Sequence, residues 1–472
     1  MQRRLSAPDI DFDAIRGELG VDENYGDAAL AEAERAVDRY ADERENYTDL
    51  PFVTIDPPGS MDLDQAVHLS ADADGFVVNY AIADVGALVE PEGALDQESR
   101  RRGTTIYFPD GSVPLHPRAL SEGSGSLLPD QIRPCVLWTI HVDPDGAIGD
   151  VAVRRARVRS VARLDYAGVS ADAAAGRLHP SIAALPDFGE LRARVALAAG
   201  AVELDLPDQE VVGESGGWAL RIAPRTPADR WNSQLSLLAG RCAGEIMAAA
   251  GVGLLRTLPP AEASAIDALR ATATALGVDW PQGTTPGQFL ATLPVDAPST
   301  LALMSRAGGL MRGSGYLALG VGEAPAAPGP EAMVHTAVGG LYAHVTAPLR
   351  RLGDRFATEV CLAVQAGKPV PDWTLRALPT LPKILRSADS LGSSADRASI
   401  DLAEAVVLGD RVGQKFDAVV MAEAEGKRAA RIFIADPAVI ATCDGQPPQG
   451  RRLPVVLTAA DPVKRLVTFA PV

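Results

Sequence analysis

The sequence predicts an α+β protein: a mixed β-sheet and helix domain, preceded by a small helical segment and followed by a small β domain. Three observations carry this. Residues 51–166 alternate short apolar runs with turn residues, residues 166–330 carry Ala and Leu at helical spacing, and residues 400–472 return to short strand-like runs with polar turns between them. The expected divisions are 1–49, 50–398 and 399–472, in keeping with a length of 472 residues.

In chain order, residues 12–19 fit a short helix ended near Gly20. Residues 28–42 fit a second, with Ala28, Leu30, Ala31, Ala33 and Val37 as its apolar stripe. Two helices joined by a turn fit either a helix-turn-helix module or a cap on the next domain. Strands are expected at 51–56, 63–69, 76–83, 134–143 and 150–161, with turns at 70–75 and 143–146. Helices are expected at 189–201, 229–250, 261–276, 287–293 and 298–313, a loop at 325–330, and a helix from about Leu349 to Gln365. Residues 369–399, rich in Pro, Ser and Leu, read as a connection. Strand-like runs follow at 415–421, 428–435, 453–459 and 465–469.

The composition bounds the class. The chain is 47% hydrophobic and 22% charged, ordinary for a globular protein, with no run near the ~20 apolar residues of a membrane span. Met1 to Arg4 is basic, but the Asp-rich segment after it is no signal-peptide core. Cys135, Cys242, Cys361 and Cys443 are scattered without a CxxC, so neither a zinc knuckle nor a disulfide framework is expected, and a reduced, cytoplasmic location is. The net charge of −17 argues against broad adhesion to polyanions, yet the arginines are clustered.

The residues that most invite chemistry are Asp56, Asp62 and Asp64. An apolar lead-in (Phe52 to Ile55) runs into a turn forced by Pro57, Pro58, Gly59 and Ser60. Asp62 and Asp64, two apart, point the same way in an extended chain, and Asp56 returns towards them across the turn. Crowded carboxylates repel unless a hard cation lies between them, so the pattern reads as a magnesium or manganese cradle. Asp is also common in turns with no ion at all.

This stretch resembles the signature of the ribonuclease II / ribonuclease R family of exoribonucleases, T-I-D-x(5)-D-x-D-D-A, standing here as Thr54, Ile55, Asp56, Asp62, Leu63, Asp64, Gln65 and Ala66. Further segments resemble the family in the same order: residues 81–85, 95–98, 102–109, 113–117, 126–129, 163–166, 200–207 and 342–351. The similarity spans roughly residues 50 to 390.

The resemblance implies an RNB-like catalytic domain at 50–398 and a C-terminal OB-fold that binds RNA. It implies 3′→5′ hydrolysis of single-stranded RNA to nucleoside 5′-monophosphates, with one or two Mg2+ ions (Mn2+ also fitting) on Asp56, Asp62 and Asp64. Gln65 stands where the family has a fourth Asp and would complete the shell through its carbonyl. Arg350 would stabilise charge at the scissile phosphate, with backbone amides of its helix adding an anion site. Tyr166 and Tyr107, which alone read as core or strand residues, would stack on bases. Arg351 would join the RNA contacts, and Arg155 and Arg157, on one side of a strand with Arg159, would wall a phosphate-tracking groove. No organic cofactor is implied, and a monomer is expected. Ser233 and Gln234 replace a family Glu pair. The N-terminal helices would replace cold-shock modules and leave a shorter, more open RNA entrance. The alternative is an RNA-binding protein that keeps the fold with impaired catalysis.

Overall fold

A computed structural model of the chain describes residues 10–214, 217–223, 225–295, 297–320 and 329–472. Residues 325–328 of the expected 325–330 loop lie outside them.

The central sheet grows from the strands the alternating pattern marks. They are β1 (Glu45–Asn46), β2 (Phe52–Ile55), β3 (Gln65–Asp72) and β4 (Gly75–Ala83). A separate short hairpin, β5 (Ile106–Phe108) and β6 (Gly111–Val113), precedes β7 (Ile132–Val142) and β8 (Ile148–Leu164). Their order in the sheet is β1-β8-β2-β3-β4-β7. The 17-residue β8 pairs antiparallel with β7 over its first two-thirds, parallel with β1 at Ala156 and Arg157, and parallel with β2 from Ser160 to Leu164, so it touches both margins of the sheet. The turns at 70–75 and 143–146 join β3 to β4 and β7 to β8. Asp72 and Asp145 there accept amides two residues on, which is turn chemistry without an ion.

Apolar side chains cover both faces of the sheet. One face, with Trp138, Tyr80 and Ile82, packs on the helices Pro227–Ala250 and Leu352–Gln365. The other, with Leu137, Ala81 and Val158, is covered by Tyr25, Ala29 and Ala33. The second N-terminal helix (Asp27–Glu34, shorter than expected) thus lies on the main sheet. The first (Asp13–Leu19) packs Phe12 and Ile15 against β5, β6 and Ala395. The two helices therefore lie on different surfaces of the protein.

Three elements depart from expectation. Residues 381–407 form one 27-residue helix, Leu381–Val407, where a connection was expected. Pro382 lies in its first turn, where no amide is missed, and Leu381, Leu385, Ala388, Ala395, Ser399 and Ala403 form its buried stripe. Antiparallel pairs Asp208–Glu214/Gly217–Ala223 and Gly253–Thr257/Gly315–Leu319 interrupt the region read as helical. The C-terminal strands 415–422, 430–434, 439–443, 452–461 and 466–471 close into a five-stranded barrel around Phe469, Val420 and Ile432, as an OB-fold does. Among the described residues no helix is long and apolar enough to cross a membrane.

Candidate active site

The Asp-bearing loop leaves the end of β2 and re-enters the sheet as β3. The Asp56 amide donates to the Leu164 carbonyl (3.1 Å), which holds the loop against β8. Ser60 closes a turn onto Pro57, with Gly59 at φ +88°. Leu63 is fully buried and fixed at both backbone ends: its amide donates to Ser126 Oγ (3.0 Å), and its carbonyl accepts from the Leu127 amide (2.9 Å). Asp62 and Asp64 therefore flank an anchored residue and cannot swing freely. Asp64 is 4% exposed, and its backbone carbonyl accepts from Ala83 on β4.

Arg350 meets Asp64 from a loop far along the chain, its Nε 3.3 Å from Asp64 Oδ2. Asp64 Oδ1 accepts from the Leu349 amide (2.8 Å). The loop is pinned because the Arg350 carbonyl accepts from the Thr105 amide and the Thr104 hydroxyl, both at 2.9 Å. Those residues lead into β5, so the same contacts bring Tyr107 beside Arg350, where hydroxyl and guanidinium interact. Tyr107 is 53% exposed, unlike its buried neighbours Ile106 and Phe108. Tyr166 opens the Tyr166–Ala174 helix, capped by Asp165, and its hydroxyl accepts from Asn232 Nδ2 (3.5 Å).

The electrostatics of the cleft floor follow from burial. Burial pushes the Asp64 carboxyl up to about 8, against the pull of Arg350 and the Leu349 amide. Burial likewise raises Asp56 to about 6, with Arg350 opposing and Asp62 reinforcing, and raises Asp62. Burial and the Asp56 charge raise the Tyr166 hydroxyl to about 12.

Several expected roles change. Arg351 does not face the cleft: its Nη2 lies 2.8 Å from Asp354, which also accepts the Ala347 amide (2.7 Å), so the pair braces the loop. The helix begins at Leu352, not Leu349, and the amides of residues 349–352 are bonded to Asp64, Ala347 and Gly103. The expected backbone anion site at residues 349–352 is therefore already filled by the protein. Arg155 is not a groove wall. It bonds Asp84 (3.1 Å) and Glu359 and lies 3.6 Å over the Tyr40 ring. Arg157, two residues on, is exposed. Gln65 is not free to complete a metal shell. Its Oε1 accepts from the Tyr80 hydroxyl and from Ser236 (3.4 Å), and its Nε2 donates to the Thr346 carbonyl (2.7 Å). Ser233 is exposed and bonds its own helix. Asn232, Tyr80, Ser236 and Thr346 are site residues that sequence reasoning missed, since each is an ordinary polar residue until the fold brings it to Tyr166 or Gln65.

The donor set is that of a hard cation. Asp56 and Asp62 are near enough to repel each other, and Asp56 Oδ2 is buried without a hydrogen-bond partner among the described residues. Yet among the described residues no three His, Cys, Asp or Glu side chains gather closely enough to grip one ion. Asp64 has both oxygens turned to Leu349 and Arg350, so the cradle expected from spacing is only partly assembled.

The RNB domain family model matches residues 44–363, and the RNase II-type exonuclease C-terminal S1 domain matches residues 414–472. Exoribonuclease 2 of Vibrio vulnificus is 35% identical over 220 residues, covering 44% of this chain and 33% of that protein, so the matched stretch spans about a third of the relative's length. The fold is similar to that of Mycoplasma genitalium RNase R in its apo form, with a TM-score of 0.86 and 18% identity, covering 98% of this chain and 77% of that one. Yeast Ssd1, a pseudonuclease, is also similar, with a TM-score of 0.71 and 15% identity, covering 97% and 57%.

Proposed function

The chain belongs to the RNB family, and we propose that it is a 3′→5′ hydrolytic exoribonuclease that shortens single-stranded RNA to nucleoside 5′-monophosphates. The observation that carries this reading is the meeting of Asp64 with Arg350 near an Asp56 oxygen that has no hydrogen-bond partner among the described residues, with Tyr107 interacting with the same arginine.

Asp56, Asp62 and Asp64 are the carboxylates that would hold a divalent cation, magnesium or manganese. When bound, such an ion polarises a phosphoryl oxygen and makes water a better nucleophile. The other roles belong to the chain. The Arg350 guanidinium, held by Asp64 and by its carbonyl bonds to residues 104 and 105, is aimed where a phosphodiester gains charge, and such pre-set donors are worth about 10²–10³ in rate. Tyr166, oriented by Asn232, offers a face to the last base, and exposed Tyr107 to another, each worth about 1–3 kcal/mol. Asp354 and Arg351 hold the loop that carries Arg350, and Gln65 ties that loop to β3 through Thr346.

The test is digestion of a 5′-labelled single-stranded RNA of about 30 nucleotides by the full chain. The reading predicts a ladder collapsing to a short 5′ product, abolished by EDTA and by Asp64→Asn. RNA that stays intact but shifts on a gel would sink it in favour of an RNA-binding protein with impaired catalysis. Gln65 favours that second reading, because its carboxamide adds no charge to the floor and both its ends are already bonded to the protein. A large gain from near zero in Gln65→Asp would support it.

A further inference from the structure

Behind the loop that carries Arg350 lies a cavity of about 430 Å³ that none of the roles above uses. It opens between the paired strands Gly253–Thr257 and Gly315–Leu319, the loop before Leu352, and the long helix Leu381–Val407. Arg256, Arg351, Arg386 and Asp389 are the charged residues on its walls, beside Tyr316, His344 and the hydroxyls of Ser314, Ser390 and Ser393.

Two of the three cations are already balanced. Arg351 pairs with Asp354 at 2.8 Å, and Arg256 pairs with Asp389 at 3.3 Å while its guanidinium lies 4.5 Å over the Tyr316 ring. Arg386 lines the cavity, is exposed, and has no ion-pair partner among the described residues. The cavity thus carries one uncompensated positive charge. Tyr316 and His344 meet edge to face with ring centroids 5.8 Å apart, joined by a 3.2 Å hydrogen bond. Burial and the nearby arginines keep His344 neutral. One free cation, an aromatic wall and several hydroxyls match the parts of one nucleotide: phosphate, base and ribose. The volume suits a single small ligand and is too small for a duplex.

The cavity shares its wall with the catalytic cleft. Arg351 lines it, while the next residue back, Arg350, reaches Asp64. Thr346 accepts from Arg351 through its hydroxyl and from Gln65 through its carbonyl.

We propose that this cavity is a nucleotide subsite in which Arg386 takes the phosphate and Tyr316 and His344 bound the base. It rests on the exoribonuclease reading for its substrate class. The phosphate has two possible sources, a linkage of the RNA strand or the freed nucleoside 5′-monophosphate.

The test is equilibrium binding to the full chain in EDTA, which removes turnover. The probes are AMP and a 12-nucleotide single-stranded RNA, with Arg386→Ala, Arg386→Lys and, on the same helix outside the cavity, Lys383→Ala. Weakening of AMP binding by about tenfold in Arg386→Ala, restored in Arg386→Lys, assigns the site to the product. The same pattern for RNA, with AMP unaffected, assigns it to the strand. Curves that superimpose on the parent for both probes, or an equal loss in Lys383→Ala, overturn the proposal. Site-specific binding by a chain that never cleaves RNA would sink the exoribonuclease reading and leave the subsite standing.

Discussion

The cleft floor and the buried cluster around Arg155 are built from the same residue types, arginine and carboxylate, and they treat charge in opposite ways. In the cluster, Arg44 reaches both Asp38 and Asp84 at 2.8 Å, Arg155 reaches Asp84 and Glu359, and Arg44 and Asp84 are almost wholly shielded from water. Burial raises even the Glu359 carboxyl, but Arg155 is in contact with it. On the floor, only Asp64 is in contact with an arginine among the described residues, Arg350, and there an oxygen of Asp56 has no hydrogen-bond partner. A buried, fully paired cluster fixes a fold. A buried, underpaired one costs stability and persists where a bound group completes it.

This contrast can be broken at either end. The largest effect is expected in the paired cluster. Arg155→Ala strands Asp84 and Glu359 and should cost about 3–5 kcal/mol, read as a lower midpoint in chemical denaturation. Its turnover per folded molecule should stay near that of the parent. Arg350→Ala should act mainly on turnover, losing about 10²–10³ in rate per folded molecule.

A third buried carboxylate sharpens the comparison. Glu404, 4% exposed near the end of the long helix, accepts from Gln209 (2.7 Å) and from the Ile440 amide (3.0 Å) in the barrel, with no ion-pair partner among the described residues. Burial pushes it up to about 7 against those two hydrogen bonds. The folded chain therefore holds a proton that the unfolded chain releases near 4.5, and stability from this group falls as pH rises from 4.5 through 7. At about 1.4 kcal/mol per unit, the loss is about 3.5 kcal/mol over that window. Glu404→Gln should flatten that dependence relative to the parent in denaturation series across the window.

The smallest effect belongs to the aromatic rim. Tyr107→Ala should weaken RNA binding in EDTA by about 1–3 kcal/mol, with little change in denaturation because the ring is half exposed. Equal losses of binding and stability would make Tyr107 part of the core.

The sequence made the strands legible because one apolar residue in two faces each layer, and it made Asp56, Asp62 and Asp64 legible because their spacing and order match a known signature. It could not separate Arg155 from Arg157, which share a side of β8 yet differ in surroundings: Asp84, Glu359 and Tyr40 come from distant segments. Nor could it separate Arg350 from Arg351, adjacent in sequence and divided by Asp354. The helix Leu381–Val407 was hidden because Pro382 and its serines look like a linker until its buried stripe finds the hairpin β5–β6 and the barrel. Gln65 read as a ligand because a carboxamide carries an acceptor; its partners Tyr80, Ser236 and Thr346 appear only with the fold.

The most direct measurement is thermal unfolding of the full chain titrated with Mg2+ and Mn2+, beside Asp56→Asn. If the floor is left underpaired for a cation, the parent's unfolding temperature should rise with ion concentration and saturate, and the variant's should not respond. A parent that ignores the ions, or a variant that responds as the parent does, would contradict the account.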